Sequence, residues 1–232
     1  MEHEAFTWAS LIPGLKGLPA HVSNGIIASV ILLAIVILGY RQLKKSEDDV
    51  VPSAKFSFGN LVEVMAEGVS GIIVDTMGPR GKEFVLLVGT LGLFILFNNL
   101  AGFIPGFLPA TDNVNTTFAC SLTVFVMTHY YGVKEHGIKY LKQFMGPVGW
   151  LAPIMIPIEI VGHIARPLSL GLRLFGNIFG DHLVTGIFFG LIPFLLPVPF
   201  MALGLFVAFV QTFVFMMLAM AYFSGAISHE EH

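Results

Sequence analysis

The apolar positions of this chain fall into long runs separated by short polar segments. A membrane-crossing helix needs roughly 20 consecutive apolar residues. Val22 to Tyr40 carries no charge and predicts a first span over 22–41. Phe84 to Thr111 is a second charge-free run. Pro105 and Pro109 should stop its helix near Ile104, which places the span at 83–104. The third run follows "DNVNTT", where Asp112 or Asn115 is suited to cap a helix over 115–133. Between the first two spans, Phe58, Leu61, Val62, Met65, Val69, Ile72 and Ile73 form a helical stripe, with Glu63, Glu67 and Asp75 off it. That pattern predicts an amphipathic interfacial helix over 55–78.

The carboxyl-terminal third is apolar almost without a break from Met145 to Ser228, with only Glu159, Arg166, Arg173 and Asp181 charged. Pro193, Pro197 and Pro199 mark a turn within it. The prediction is a helical hairpin over 150–226, with arms of about 150–190 and 200–226. At ~1.5 Å per residue the first arm is roughly 60 Å long, twice the ~30 Å hydrocarbon thickness. It must therefore tilt and bend steeply, or break at Pro153, Pro157 or Pro167. The expected fold is all-α: a single polytopic membrane domain with about five crossing helices and one interfacial helix.

Composition supports the membrane class. Hydrophobic residues make up 55% of the chain and charged residues 12%, about half the ordinary soluble share of charge. Net charge is −3, so no basic field argues for nucleic acid. The single cysteine, Cys120, excludes a disulfide framework or a Cys-based metal site, and no cofactor is expected. Residues 1–21 lack the basic region of a signal peptide. Arg41, Lys44, Lys45, Lys55, Arg80, Lys82, Lys134, Lys139 and Lys142 flank the spans on one side, whereas the tail holds only Lys16. By the positive-inside rule the tail and amino terminus are outside, and the 41–82 segment and the carboxyl terminus are cytoplasmic.

Arg166 and Arg173 belong to neither loop. With Glu159 they recur every seven residues, which on a helix is about 20° short of two turns, so the three share one stripe. Ser169 and Asn177 lie four residues either side of Arg173, at its edge. Asp181 is two turns beyond, and His182 points to the opposite side. Arg166 fits an interfacial residue snorkelling to the surface, with Glu159 as its ordinary partner. Arg173 does not, because a central arginine costs roughly 2.5–3.5 kcal/mol on insertion scales. Arginine keeps its proton in proteins. It therefore acts as a fixed charge that attracts a carboxylate, favours loss of that carboxylate's proton and repels a passing cation. Asp181, His182 and Glu159 are candidate relay groups, and Asn177 and Gln211 can hold water. A simple antiparallel count, good to about one turn, sets Arg173 opposite roughly 219 and His182 opposite roughly 210, with Gln211 within about two turns of both.

"SLGLRLFGN", with an acidic or histidine position after it and "VQTFVFMMLAMAY" on the last apolar helix, resembles subunit a of the F-type ATP synthase. "FNNLAGFIPGF" and "PATDNVNTTFA" resemble two further blocks of that family, and the match runs from about residue 55 to the end. The resemblance implies a stator subunit, not catalytic alone, in the bacterial inner membrane. A ring of c subunits, each with a membrane carboxylate, would turn past it. The b-subunit peripheral stalk, the remaining synthase subunits and membrane lipid are the other implied partners. Two half-channels would bring and remove the proton, separated by the essential arginine of "GLRLFGN", which is Arg173. Asn177, Gln211, Glu159 and Ser169 match further family positions. The chain departs from many bacterial members at His182, where they carry glutamate, and at Gly204, where they carry histidine. The count places 182 and 204 near each other, so one imidazole would occupy the same space from the other arm. Asp181 or His182 would then take the role of the glutamate. Coupling to protons is favoured over sodium. A secondary transporter holding an anion at Arg173 is the contrasting reading, but it should show internal repeats, and none is visible. A purely structural assembly subunit is a third.

Overall fold

In the computed structural model, residues 8, 12–15, 17–45, 57–104, 106–137, 140, 152–191 and 197–228 are described. Most of the 1–21 tail, the start of the 55–78 segment, Pro105 and the Pro193 part of the turn lie outside them. The described residues hold six α-helices and no strand: α1 (Ala20–Lys45), α2 (Phe58–Met77), α3 (Val85–Ala101), α4 (Val114–His136), α5 (Ala152–Leu191) and α6 (Pro197–Ile227). Helices are what lipid demands, because a spanning segment must satisfy its own backbone polar groups. The chain is an all-α polytopic membrane protein.

Three helices are long and apolar enough to cross a membrane unaided: Ala20–Gln42 of α1, Met155–Leu191 of α5, and α6, with mean hydropathies of 2.5, 1.3 and 2.2. α3 is shorter, at 17 residues. α4 has 23 residues, and its hydropathy is held down by hydroxyl and amide side chains. Those of Thr117, Ser121 and Thr128 are buried. Each bonds a carbonyl on its own helix, Thr117 to Val114, Ser121 to Phe118 and Thr128 to Val124. A hydroxyl satisfied in this way costs little in an apolar setting.

The chain divides into two compact units, residues 1–110 and 111–232. In the first, α1, α2 and α3 pack on one another. Gly39 permits α1 to approach α2 closely, because a Cβ there would stand 2.9 Å from the Phe58 carbonyl oxygen. Ser57 caps α2 and also hydrogen-bonds Gln42 of α1.

In the second unit, α4, α5 and α6 pack together. α5 buries Leu170, Gly171, Leu174 and Ile178 along one stripe, and α6 buries Gly204, Ala208, Gln211, Phe215, Ala219 and Phe223. These spacings of three and four residues keep one face of each helix turned inward. α5 runs unbroken for 40 residues with Pro157 and Pro167 inside it. The expected alternative of a break at a proline is not what the structure has. Proline removes one backbone donor and crowds the preceding turn, but in membrane helices neighbouring groups can re-satisfy the freed carbonyl. The cap of α4 is also corrected: Asn113, not Asp112 or Asn115, occupies that position, and its Oδ1 accepts from the Asn115 N–H at 2.9 Å.

Candidate functional site

The unbroken α5 carries Glu159, Arg166, Ser169, Arg173, Asn177, Asp181 and His182 on one continuous helix. Its buried stripe faces α4 and α6, while Arg166, Ser169, Arg173 and Asn177 lie on exposed positions. Near Arg173 the open positions include Ala165, Leu172 and Gly176, and a Cβ on Gly176 would meet nothing within 4 Å. Among the described residues Arg173 has no hydrogen-bond or ion-pair partner. The charge is therefore presented on the helix surface, at a place where α5 is narrow.

Arg166 behaves differently from the expected partner of Glu159. Its guanidinium lies over the Tyr222 ring of α6, 5.9 Å from the centroid. No ion pair joins it to Glu159 among the described residues. Glu159 instead reaches His163, with Oε1 3.3 Å from Nδ1. His163 Nδ1 is also 2.9 Å from the Glu159 carbonyl oxygen, and its ring meets that of His129 edge to face at 5.3 Å. A small cavity beside this pair is lined by Ser121, Thr128, His129, His163, Arg166 and Tyr222, among others. His129, His163 and Tyr222 were not singled out from the sequence. The four-residue step from Glu159 to His163 was the available signal. The approach of His129 depends on how α4 crosses α5.

Towards the proline turn the polar groups converge. Asn177 Nδ2 donates to Gln211 Oε1 at 2.5 Å, so these two residues meet across the hairpin. Gln211 is 3% exposed, and its Nε2 is buried without a hydrogen-bond partner among the described residues. One turn further, the Asp181 carboxylate lies against Gly204, where a Cβ would come within 2.3 Å of Oδ2. His182 turns the other way, and its Nδ1 is 3.2 Å from Asp112 Oδ2 at the start of α4.

These contacts refine the antiparallel count within its tolerance of one turn. Arg166 meets Tyr222, Asn177 meets Gln211, Asp181 meets Gly204, and Phe188 stacks on Phe200 at 4.2 Å. Arg173 is thus level with about position 215 rather than 219, one turn nearer the proline turn. The side chain that fills the space at Gly204 is Asp181, not His182 as the count implied. The nine-residue step from Arg173 to His182 is half a turn out of phase, and it directs the imidazole towards α4 instead. Asp112 is the group that sequence reasoning had considered only as a cap.

Comparison with known proteins gives a consistent family. A model of the family described as ATP synthase A chain matches residues 23–224. The chain is 48% identical over 226 residues to ATP synthase subunit a 1 of Syntrophotalea carbinolica, covering 97% of this chain and 93% of that one. It is 51% identical over 198 residues to ATP synthase subunit a of Trichlorobacter lovleyi, covering 85% and 83%. With ATP synthase subunit a of Geotalea daltonii the identity is 52% over 197 residues, covering 85% and 82%.

Proposed function

The chain belongs to the ATP synthase A chain family, and from that premise we propose that it is the stationary half of the proton turbine, with Arg173 as the fixed charge between two half-channels. Membership makes it a membrane component of the ATP synthase with a part in proton transport. The finer proposal is that protons reach and leave a carboxylate on a turning ring of c subunits. The chain is not catalytic alone. The peripheral-stalk b subunit and the remaining synthase subunits are its other proposed partners.

The observation that carries this reading is the exposure of Arg173 on α5 without an acidic partner among the described residues. An arginine within a membrane helix is expensive unless it meets a partner or water. A carboxylate on a neighbouring chain meets that requirement. At ~4 Å and an effective dielectric of ~20, the attraction is about 4 kcal/mol. This attraction favours the ionised form of the carboxylate. A ring carboxylate arriving protonated would lose its proton at Arg173 and take up another after passing it. Because Arg173 cannot give up its own proton, it also blocks direct flow between the two paths. Each proton crossing the membrane supplies about 2.3 kcal/mol per 100 mV.

The inner path is assigned to Glu159 and Ser169, and the outer path to Asn177, Asp181, His182 and Gln211. The amino terminus is placed outside and the carboxyl terminus in the cytoplasm, supported by the distribution of lysine and arginine. Arg173→Ala should abolish ATP-driven proton pumping in inverted vesicles while leaving ATP hydrolysis by the catalytic sector measurable. Undiminished pumping would remove Arg173 from this role.

A further inference from the structure

We propose that Asp112 is a proton-carrying residue of the outer path, acting as one half of an Asp112–His182 pair. The proposal rests on the turbine reading above and adds to it a residue from α4's approach. Asp112 closes the short 3-10 turn Ala110–Asp112 that leads into α4. It is not the helix cap, which is Asn113. Its Oδ2 faces His182 Nδ1 at 3.2 Å. Its Oδ1 is buried without a hydrogen-bond partner among the described residues. Buried polar atoms in native proteins are satisfied by protein or by ordered water, and a carboxylate oxygen is a strong acceptor for a water.

The pair stands at one end of a series of polar groups. From His182 and Asp181, one turn of α5 leads to the Asn177–Gln211 bond, where Gln211 Nε2 is a second buried atom without a partner. A further turn leads to Arg173. At ~1.5 Å per residue, the nine residues from 173 to 182 cover about 13 Å of helix. The side chains around this line are apolar: Ile178, Ala208 and Phe215 are all buried. Three separate segments, the turn before α4, α5 and α6, thus supply polar groups on the two inward sides of α5, Asp112 meeting His182 on one and Gln211 meeting Asn177 on the other.

A carboxylate and an imidazole in contact can share one proton, held as O–H against neutral nitrogen or as N–H facing the carboxylate. A proton gained from the outer water by this pair passes towards Asp181 and the Asn177–Gln211 level, and the pair returns to its starting state. The balance is a proton in and a proton out, with no bond to carbon made or broken. A merely structural tie between Asp112 and His182 would need only an acceptor at position 112.

Asp112→Asn separates the two roles, because asparagine keeps the shape and an acceptor oxygen but cannot carry the proton. The experiment uses the whole ATP synthase in inverted vesicles and reads ATP-driven pumping. It also reads passive proton conduction after the catalytic sector is stripped, and the amount of assembled complex. Asp112→Asn is expected to lower both proton fluxes about 100-fold, the low end of what positioned acid–base groups contribute, at native assembly. Asp112→Glu is expected to retain most of the flux. The exchanged pair, Asp112→His with His182→Asp, should recover flux that either single change loses. If Asp112→Asn assembles poorly, the exchanged pair decides: an assembled complex that conducts supports the relay, and one that does not overturns it. Native flux in Asp112→Asn alongside a dead Arg173→Ala overturns the role of Asp112 and leaves the turbine reading standing. Native flux in Arg173→Ala overturns the reading beneath it.

Discussion

Gly204→Ala tests the approach of α5 and α6 beside the proposed outer path. A Cβ at position 204 would stand 2.3 Å from Asp181 Oδ2, 2.6 Å from Oδ1 and 2.7 Å from Cγ, whereas ordinary contact begins near 3.4 Å. The carboxyl group must therefore retreat by about 1 Å. It is the far end of a flexible side chain, so it can swing aside at ~0.5–1.5 kcal/mol for a displaced rotamer. That is cheaper than the ~1–3 kcal/mol of forcing packed helices apart. Alanine in place of a mid-helix glycine returns ~0.8–1.0 kcal/mol of helix propensity. Strain and propensity nearly cancel, so the single variant should unfold almost like the native protein. In an Asp181→Ala background the strain disappears and the propensity gain remains. The double-mutant cycle should thus show a coupling of about 1 kcal/mol, above the ~0.3–0.5 kcal/mol within which distant sites add. Denaturant unfolding of the four proteins in one detergent measures it. Additive behaviour would refute the contact, and with it the assignment of Asp181 to the space at Gly204.

The other predictions concern neighbouring features. Asn113→Ala should lower the stability of the unit that contains α4 by about 1 kcal/mol, the usual value of an N-cap, read as a lower thermal midpoint. Asn115→Ala should have the smaller effect. Tyr222→Leu removes the ring beneath Arg166 and should cost ~0.5–1 kcal/mol, as exposed cation–π contacts do. Tyr222→Phe should restore that loss, and both variants should pump protons near the native rate. A large pumping defect in Tyr222→Leu would show that Arg166 does more than position the hairpin.

Much of the site was legible along α5 because helical phase is a local property. The seven-residue steps from Glu159 to Arg166 to Arg173 share a stripe on any unbroken helix, and α5 is unbroken. The partners of those residues were less legible, because which side chains meet across the hairpin, Asn177 and Gln211 included, depends on its register. A shift of one turn moves the residue level with Arg173 from 219 to about 215, while the phase of α5 turns Asp181 rather than His182 to Gly204. The space left by glycine at 204 is where the carboxylate fits. His163 was missed because a histidine four residues from a glutamate is common on helices, and nothing local shows that His129 of another helix meets it.

The sequence by itself determined that the protein is helical and crosses membranes, since long charge-free runs have no other stable state in lipid. It also determined that Arg173 is a permanent charge in an apolar stretch, since that depends only on residue type and helical spacing. Tertiary structure decided which groups complete the site. Whether α5 passes through Pro157 and Pro167 unbroken depends on packing around the freed carbonyls. Asn113 became the cap of α4, which left the Asp112 carboxylate available to His182, 70 residues away in the chain. Contacts between such distant segments are set by how close the helices come and at which turn they meet. Neither quantity is carried by hydrophobic periodicity.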